Sequence, residues 1–317
     1  MDWQASADAN GLIELRVLCR GGLDAADVRR LVKAGELTRL ARGWACLGTP
    51  TDAEHRHRLT TLAMLSSHGG RAVASYHSAL VMLGIPTYGA DLDTVRLNRR
   101  TAGPTRSRRG LSLGRFVDPE LVVGDHVHPA VAVVQVGTDV GPLSALVAAD
   151  GALHRRLVTP DELHQAIEKM SRVPGVARIG KVLERADGRH ASPGETRTSE
   201  ILVQMGLVAT PQFRIEAPGF TALGDLVLRE ERVVIEFDGL IKYGRSSDLV
   251  DHFGDLLHPG EVVTREKRRE DRIRDLDWVV VRVTWAELAD PVALRAKIEE
   301  AVRRGRRYQD LRAAAGA

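Results

Sequence analysis

Between residues 11 and 48 the apolar positions change their period twice. A short helical run from Glu14 to Arg20 stops at Gly21-Gly22, because glycine readily adopts the left-handed conformation that ends a helix. Asp24 stands where an N-cap is needed, and Ala25, Val28, Leu31 and Val32 follow at helical spacing until Gly35. Leu37-Thr-Arg-Leu40 and Trp44-Ala-Cys-Leu47 then flank Ala41-Arg42-Gly43, a tight turn with glycine where a positive φ is needed. Asp52 to Ser67 and Val73 to Leu80 read as helices, and residues 91 to 137 as short strands and loops. Residues 141 to 187 read as helical in three segments, Pro142 to Leu153, Pro160 to Ser171 and Pro174 to Ala186, each with a proline suited to the first turn. Past Asp187-Gly-Arg-His-Ala-Ser-Pro-Gly194 the pattern predicts a helix over Glu195 to Met205. Strands follow over Pro211 to Glu216, Ala222 to Leu228 and Arg232 to Asp238, and then helix, strand, helix. The continuous apolar run Val233-Val-Ile235 suits the centre of a covered sheet.

Helix, turn, helix and a two-stranded wing is the order of a winged helix-turn-helix. A chain of 317 residues also exceeds one ordinary core. The expected architecture is an α+β N-terminal winged helix-turn-helix over residues 1–50 and a mixed α/β, then helical, middle domain over 51–187. A linker at 188–194 and a C-terminal α/β domain over 195–317 complete it. In this layout Asp27, Arg29, Arg30 and Lys33 lie on the outer face of the second helix, and Arg39 and Arg42 on the wing, where bases or phosphates would be met. Surface arginines of a purely structural domain are the bland alternative. Arg99, Arg100, Arg106, Arg108 and Arg109 occupy a Gly/Pro/Ser-rich connection and fit either a backbone-phosphate contact or a solvated loop.

Composition narrows the classes without choosing among them. Net charge is +3 and aromatics are 4%, with a pI near 9.0. Local arginine clusters on such a background fit a phosphate-binding protein. No apolar run approaches the roughly 20 residues of a membrane span and no signal-peptide pattern opens the chain, so a cytoplasmic protein without a membrane partner is expected. Cys19 and Cys46 lack zinc-ligand spacing and read as buried small hydrophobes, with Cys46 open to lying near a hairpin surface. His55 and His57 are two apart and cannot share a helical face as ligands, and His77 reads as a hydrogen-bonded packing residue.

The sharpest chemical pattern lies between Gly194 and Thr284. Acids at the ends of apolar strands are costly to desolvate unless a cation or proton satisfies them. A hairpin between the second and third C-terminal strands would carry Asp225 towards Glu236-Phe237-Asp238. Glu236 and Asp238, two apart, would share a face while Phe237 points into packing. Asp225 and Glu236 are the expected ligands of one Mg2+ (or Mn2+), with Asp238 as a third ligand or a substitute for a basic group, and Glu195 orienting metal or water. Lys242, Lys267 or Arg268 could stabilise charge on a transferring phosphate, and Arg272 extends the same basic helix. Salt bridges between these acids and nearby arginines are the alternative.

Residues about 11 to 85 resemble the N-terminal winged-helix domain of actinobacterial abortive-infection type IV (AbiEi-like) antitoxins. The matching stretches are Leu31-Val-Lys-Ala-Gly-Glu-Leu37, the Arg42-Gly-Trp44 hairpin, and Val73-Ala-Ser-Tyr-His-Ser-Ala-Leu80 followed by Gly84. Residues about 192 to 304 resemble very-short-patch-repair-like endonuclease domains of the PD-(D/E)XK, restriction-endonuclease-like fold. Here the match rests on Ser192-Pro-Gly-Glu195, Asp225, Val234-Ile-Glu-Phe-Asp-Gly239, Lys242-Tyr243, Glu266-Lys-Arg-Arg-Glu-Asp271 and Val281-Arg-Val-Thr-Trp285. The second resemblance implies catalytic acids at Asp225 and Glu236 with a lysine two residues on, where this chain has Asp238. The first implies a promoter repressor that neutralises a nucleotidyltransferase toxin and needs no nuclease site.

Two functions are therefore expected of the chain. One is a protein that binds double-stranded DNA and hydrolyses its phosphodiesters in a magnesium-dependent C-terminal domain. The other is a non-catalytic DNA-binding autorepressor or antitoxin.

Overall fold

The first helix-forming signals settle into a small sheet with helices on it. The computed structural model describes residues 3–239 and 259–315, and of residues 259–266 and 315 the backbone alone. Strand β1 (Leu12–Glu14), helices α1 (Leu15–Arg20) and α2 (Ala25–Lys33), and strands β2 (Leu37–Ala41) and β3 (Trp44–Leu47) follow one another. The sheet runs β1-β3-β2, antiparallel throughout, so the expected two-stranded wing has a third strand. Asp24 caps α2 by accepting from Ala26 and Asp27 N–H, and Asp27 returns the bond to Asp24 N–H. Gly43 turns β2 into β3 at φ +83°, a conformation that favours glycine. Ile13, Leu18, Val28, Leu31, Leu37 and Ala45 form the buried cluster beneath. Cys46 is buried, whereas Cys19 is exposed, against its reading as a core residue.

Helix α3 (Ala53–His68) joins this sheet to the rest of its unit. Leu59 and Ala63 pack with Leu12 and Cys46 on one side, and Met64 and Leu65 enter a larger core on the other. There β4 (Ala72–Ala74), α4 (Tyr76–Met82), β5 (Val95–Arg99), β6 (Arg106–Arg108), β7 (Leu111–Phe116), β8 (Val122–Val123) and β9 (His126–Val127) form a six-stranded sheet in the order β6-β7-β5-β4-β9-β8, with α4 between β4 and β5 in sequence. The helix expected from Val73 to Leu80 is thus a strand that breaks at Ser75 into a helix starting at Tyr76. The expectation of strands and loops up to Gly137 is corrected too: Pro129–Asp139 is helix α5, buried from Pro129 through Gly137. Helices α6 (Pro142–His154), α7 (Pro160–Lys169) and α8 (Val176–Leu183) pack around it.

The chain divides into two compact units, residues 1–186 and 187–317. The second opens with α9 (Pro193–Gln204), capped by Ser192. A four-stranded sheet follows in the order β10 (Thr210–Ala217), β11 (Phe220–Leu228), β12 (Val233–Asp238), β13 (Val279–Thr284). Its first three strands are antiparallel, and β12 and β13 are parallel. The parallel crossover passes through α10 (Pro259–Asp275), and α11 (Trp285–Leu288) and α12 (Pro291–Ala315) close the unit. One sheet face carries Leu226, Leu228, Val233, Ile235, Val281 and Val283 against Leu202 of α9 and Leu294 and Ile298 of α12. The other carries Val227 and Val234 against Ile273 of α10. The molecule is of mixed α+β class, and no helix among the described residues is long and apolar enough to cross a membrane.

Candidate functional site

In the first unit, α2 buries Val28 and Leu31 and turns Arg29, Arg30 and Lys33 to solvent. Arg30 is braced by Asp27 at 2.8 Å, an aspartate that its own cap bonds and this guanidinium hold below the usual carboxylate range. Arg39 is exposed on β2 and Arg42 on the β2–β3 turn. Arg106 and Arg108 are exposed on β6, and Arg109 begins the turn into β7. Beneath this surface two buried imidazoles pack with ring centroids 5.1 Å apart. His57 bonds the Leu92 carbonyl through Nδ1 at 2.7 Å and Ser78 Oγ through Nε2 at 2.8 Å. His77 Nε2 donates to the Thr94 carbonyl at 2.9 Å. Burial pushes His57 down to about 4 and lowers His77 as well, favouring the neutral imidazole in both.

In the second unit the hairpin register pairs Leu226 with Ile235 and Val227 with Val234. Continued one step, it sets Asp225 across from Glu236. Asp225 Oδ2 accepts the Phe237 N–H at 2.9 Å. Since Val234 faces α10, strand alternation puts Glu236 and Asp238 on that same face. Phe237 faces the other way, edge-on to Trp285 at 4.9 Å. Asp238 ends β12 in register with Thr284.

Glu236 stands between arginines. Arg269 Nη2 lies 3.0 Å from its Oε1 and Arg282 Nε 3.8 Å from its Oε2, and the carboxylate side chain is 13% exposed. Arg282 is the register partner of Glu236 on β13 and also reaches Glu270 at 2.9 Å. Glu270 in turn holds Arg274. Arg269 additionally donates to the Leu223 carbonyl. Glu195, buried in α9, is engaged by its own helix start: its carboxylate accepts from Ala191 N–H at 3.0 Å, Ser192 Oγ–H at 2.9 Å and Gln212 Nε2 at 3.3 Å. Lys267, Arg268 and Arg272 are exposed on α10, with Arg272 5.8 Å from the Phe220 ring centroid. Lys242 lies outside the described residues.

A magnesium ion takes hard oxygens from one or two carboxylates, and here it would enter against two guanidiniums already facing Glu236. Among the described residues no group of three or more His, Cys, Asp and Glu side chains stands where it could hold a metal ion.

No family model matches the chain. No curated protein matches it either. Among solved structures it is similar to the crystal structure of the RV2827C protein from Mycobacterium tuberculosis, at 15% identity over 64% of this chain and 81% of that one, with a TM-score of 0.36. A likeness of that size decides nothing about fold or function.

The sequence reading did not single out Arg269, Arg282 or Arg56. Arg269 precedes buried Ile273 by four residues, one helical turn, so it faces the sheet where Lys267 and Arg268 do not; that spacing was a usable signal. Arg282 needed the parallel register, which no local pattern encodes. Arg56 is exposed on α3 and donates to the Arg39 carbonyl at 3.1 Å, a contact that appears only once α3 packs on β2.

Proposed function

We propose that this protein binds duplex DNA through a winged helix formed by residues 11–48 and acts as a non-catalytic regulator of the antitoxin-like kind, working in the cytoplasm. The observation that carries the reading is the solvent-facing basic side of α2, Arg29, Arg30 and Lys33, followed along the chain by a β2–β3 turn that carries the exposed Arg42. A helix of this kind suits the major groove and such a turn suits the flanking backbone. The regulatory form is favoured over the cleaving one because Arg269 and Arg282 neutralise Glu236, and because Asp238 stands where the resemblance implies a lysine. A nucleotidyltransferase toxin is the protein partner this reading entails.

The test is fluorescence anisotropy of a labelled mixed-sequence duplex while salt is raised. Each phosphate contact contributes about −0.9 to the slope of log affinity against log salt. Arg29→Ala/Arg30→Ala/Lys33→Ala should weaken binding and flatten that slope by about two, the Asp27-braced Arg30 contributing least. Unchanged affinity would move the DNA surface elsewhere.

A second reading, a Mg2+- or Mn2+-dependent endonuclease, is favoured by one observation, the hydrogen bond that ties Asp225 to the strand carrying Glu236. Supercoiled DNA incubated with manganese separates the two. Nicking lost in both Asp225→Ala and Glu236→Ala would replace the regulator with a nuclease, and intact plasmid with undiminished DNA binding is the outcome expected.

A further inference from the structure

The first unit holds a cleft of about 700 Å³ lined by Leu40, Ala41 and Arg42 of the β2–β3 hairpin together with Arg56, Thr60 and Met64 of α3, and by Arg108, Arg109 and Gly110 of the β6–β7 hairpin. Four arginines line it against a single carboxylate, Asp93. None of the four forms an ion pair with a described residue. Three other arginines of the same unit do have carboxylate partners, in Arg16–Glu14, Arg30–Asp27 and Arg96–Asp139. Four like charges gathered in one concavity repel one another and are relieved by an anion with several charges in a row.

The walls are fixed rather than free. Trp44 Nε1 of β3 donates to Ser67 Oγ of α3 at 2.7 Å, and Arg56 holds the Arg39 carbonyl of β2. In the other hairpin, β6 pairs with β7 from Arg106–Leu113 to Arg108–Leu111, and β7 pairs with β5 inside the sheet. Arg108 and Arg106 also line a neighbouring cleft of about 530 Å³ beside His68, which prolongs the basic track along β6.

We propose that this cleft, lined by Arg42, Arg56, Arg108 and Arg109, is a second clamp for the sugar-phosphate backbone of the duplex that α2 engages. The DNA footprint then extends past residues 11–48 onto the six-stranded sheet. The inference rests on the DNA-binding reading above and deepens it. Continuity with the Arg42 turn selects the backbone of that duplex as the occupant.

The experiment is a salt titration of a fluorescein-labelled mixed-sequence duplex with the full chain, with Arg108→Ala/Arg109→Ala, and with Arg172→Ala/Arg178→Ala. The last pair is exposed outside the cleft and removes the same charge. All four substituted positions are exposed, so circular-dichroism melts should superimpose. The cleft pair should flatten the salt slope by about two, and the control pair by less than one. Equal slopes for the two pairs, with wild-type binding intact, would overturn the clamp and leave the DNA-binding reading standing. A wild-type chain that binds no duplex at any salt would overturn both.

Discussion

Single contacts decide how the second unit holds its carboxylate strand. Gly194, in the first turn of α9, lies under the Phe237 ring so closely that an added Cβ would sit 2.1 Å from two ring carbons. Phe237 is flanked by Glu236 and Asp238, so its ring anchors the strand from the face opposite the acids. Gly194→Ala should cost about 1–3 kcal/mol, the usual range for overpacking, and lower the thermal midpoint of the second unit. Combining it with Phe237→Leu should recover part of that loss, because the two side chains occupy one space. Additive losses in the double variant would show that the glycine is needed for its backbone instead. Gly305 has the same character, since a Cβ there would meet the Glu231 carbonyl at 1.9 Å. Ser192-Pro-Gly-Glu195 was readable as a helix start, and Ser192 and Glu195 do cap α9 reciprocally. That Gln212 adds a third donor to Glu195, and that the glycine is a packing requirement, depends on partners that arrive from β10 and β12.

At the scale of elements, the sequence patterns that depend on one segment alone were legible and those that depend on a neighbour were not. The capped α2, the Gly43 turn and the proline-led α6 and α7 could be read because caps and turns are local chemistry. Helix α5 could not. Val131, Val133, Val134 and Val136 favour strands intrinsically, and a helix buried on nearly every side shows no amphipathic period. β4 is three residues long and reads as the start of α4 until β5 and β9 pair with it. The clamp between α3 and α4 is equally invisible locally: His57 reaches Ser78 and the Leu92 carbonyl, and Ser78 Oγ accepts the Arg96 N–H at 2.8 Å. This clamp makes stability acid-sensitive. His57 is lowered from 6.5 to about 4 in the folded chain by burial, so the unfolded chain binds the proton first. The contribution is fully present above the ordinary imidazole value and is lost as pH falls towards the folded one. A loss of about 2 kcal/mol between pH 7 and about pH 5 is expected, with His77, lowered for the same reason, acting in the same sense. Urea midpoints across that window check it, and His57→Gln should flatten the dependence whatever it does to absolute stability. A wild-type midpoint that stays level would mean that the imidazole titrates normally.

For the whole molecule the proposed reading implies a division of labour between two units. The clusters around Ile13, Leu59 and Val131 belong to residues 1–186, and those around Ile235 and Ile273 to residues 187–317. A segment with its own core of this size can fold alone. Every residue assigned to DNA in the proposed reading, Arg29, Arg30, Lys33, Arg42 and the cleft arginines, lies in the first unit. In the second, the basic residues nearest the carboxylates are engaged with them: Arg269 and Arg282 with Glu236, and Arg282 and Arg274 with Glu270. Phosphate affinity should therefore travel with the first unit. A fragment of residues 1–186 should melt cooperatively, bind the labelled duplex, and keep the full chain's salt slope to within about one phosphate contact. A folded fragment whose slope falls by several contacts would place DNA on the second unit. That result would make Lys267, Arg268 and Arg272, exposed along α10, the next residues to substitute, and would raise the standing of the nuclease reading over the regulatory one.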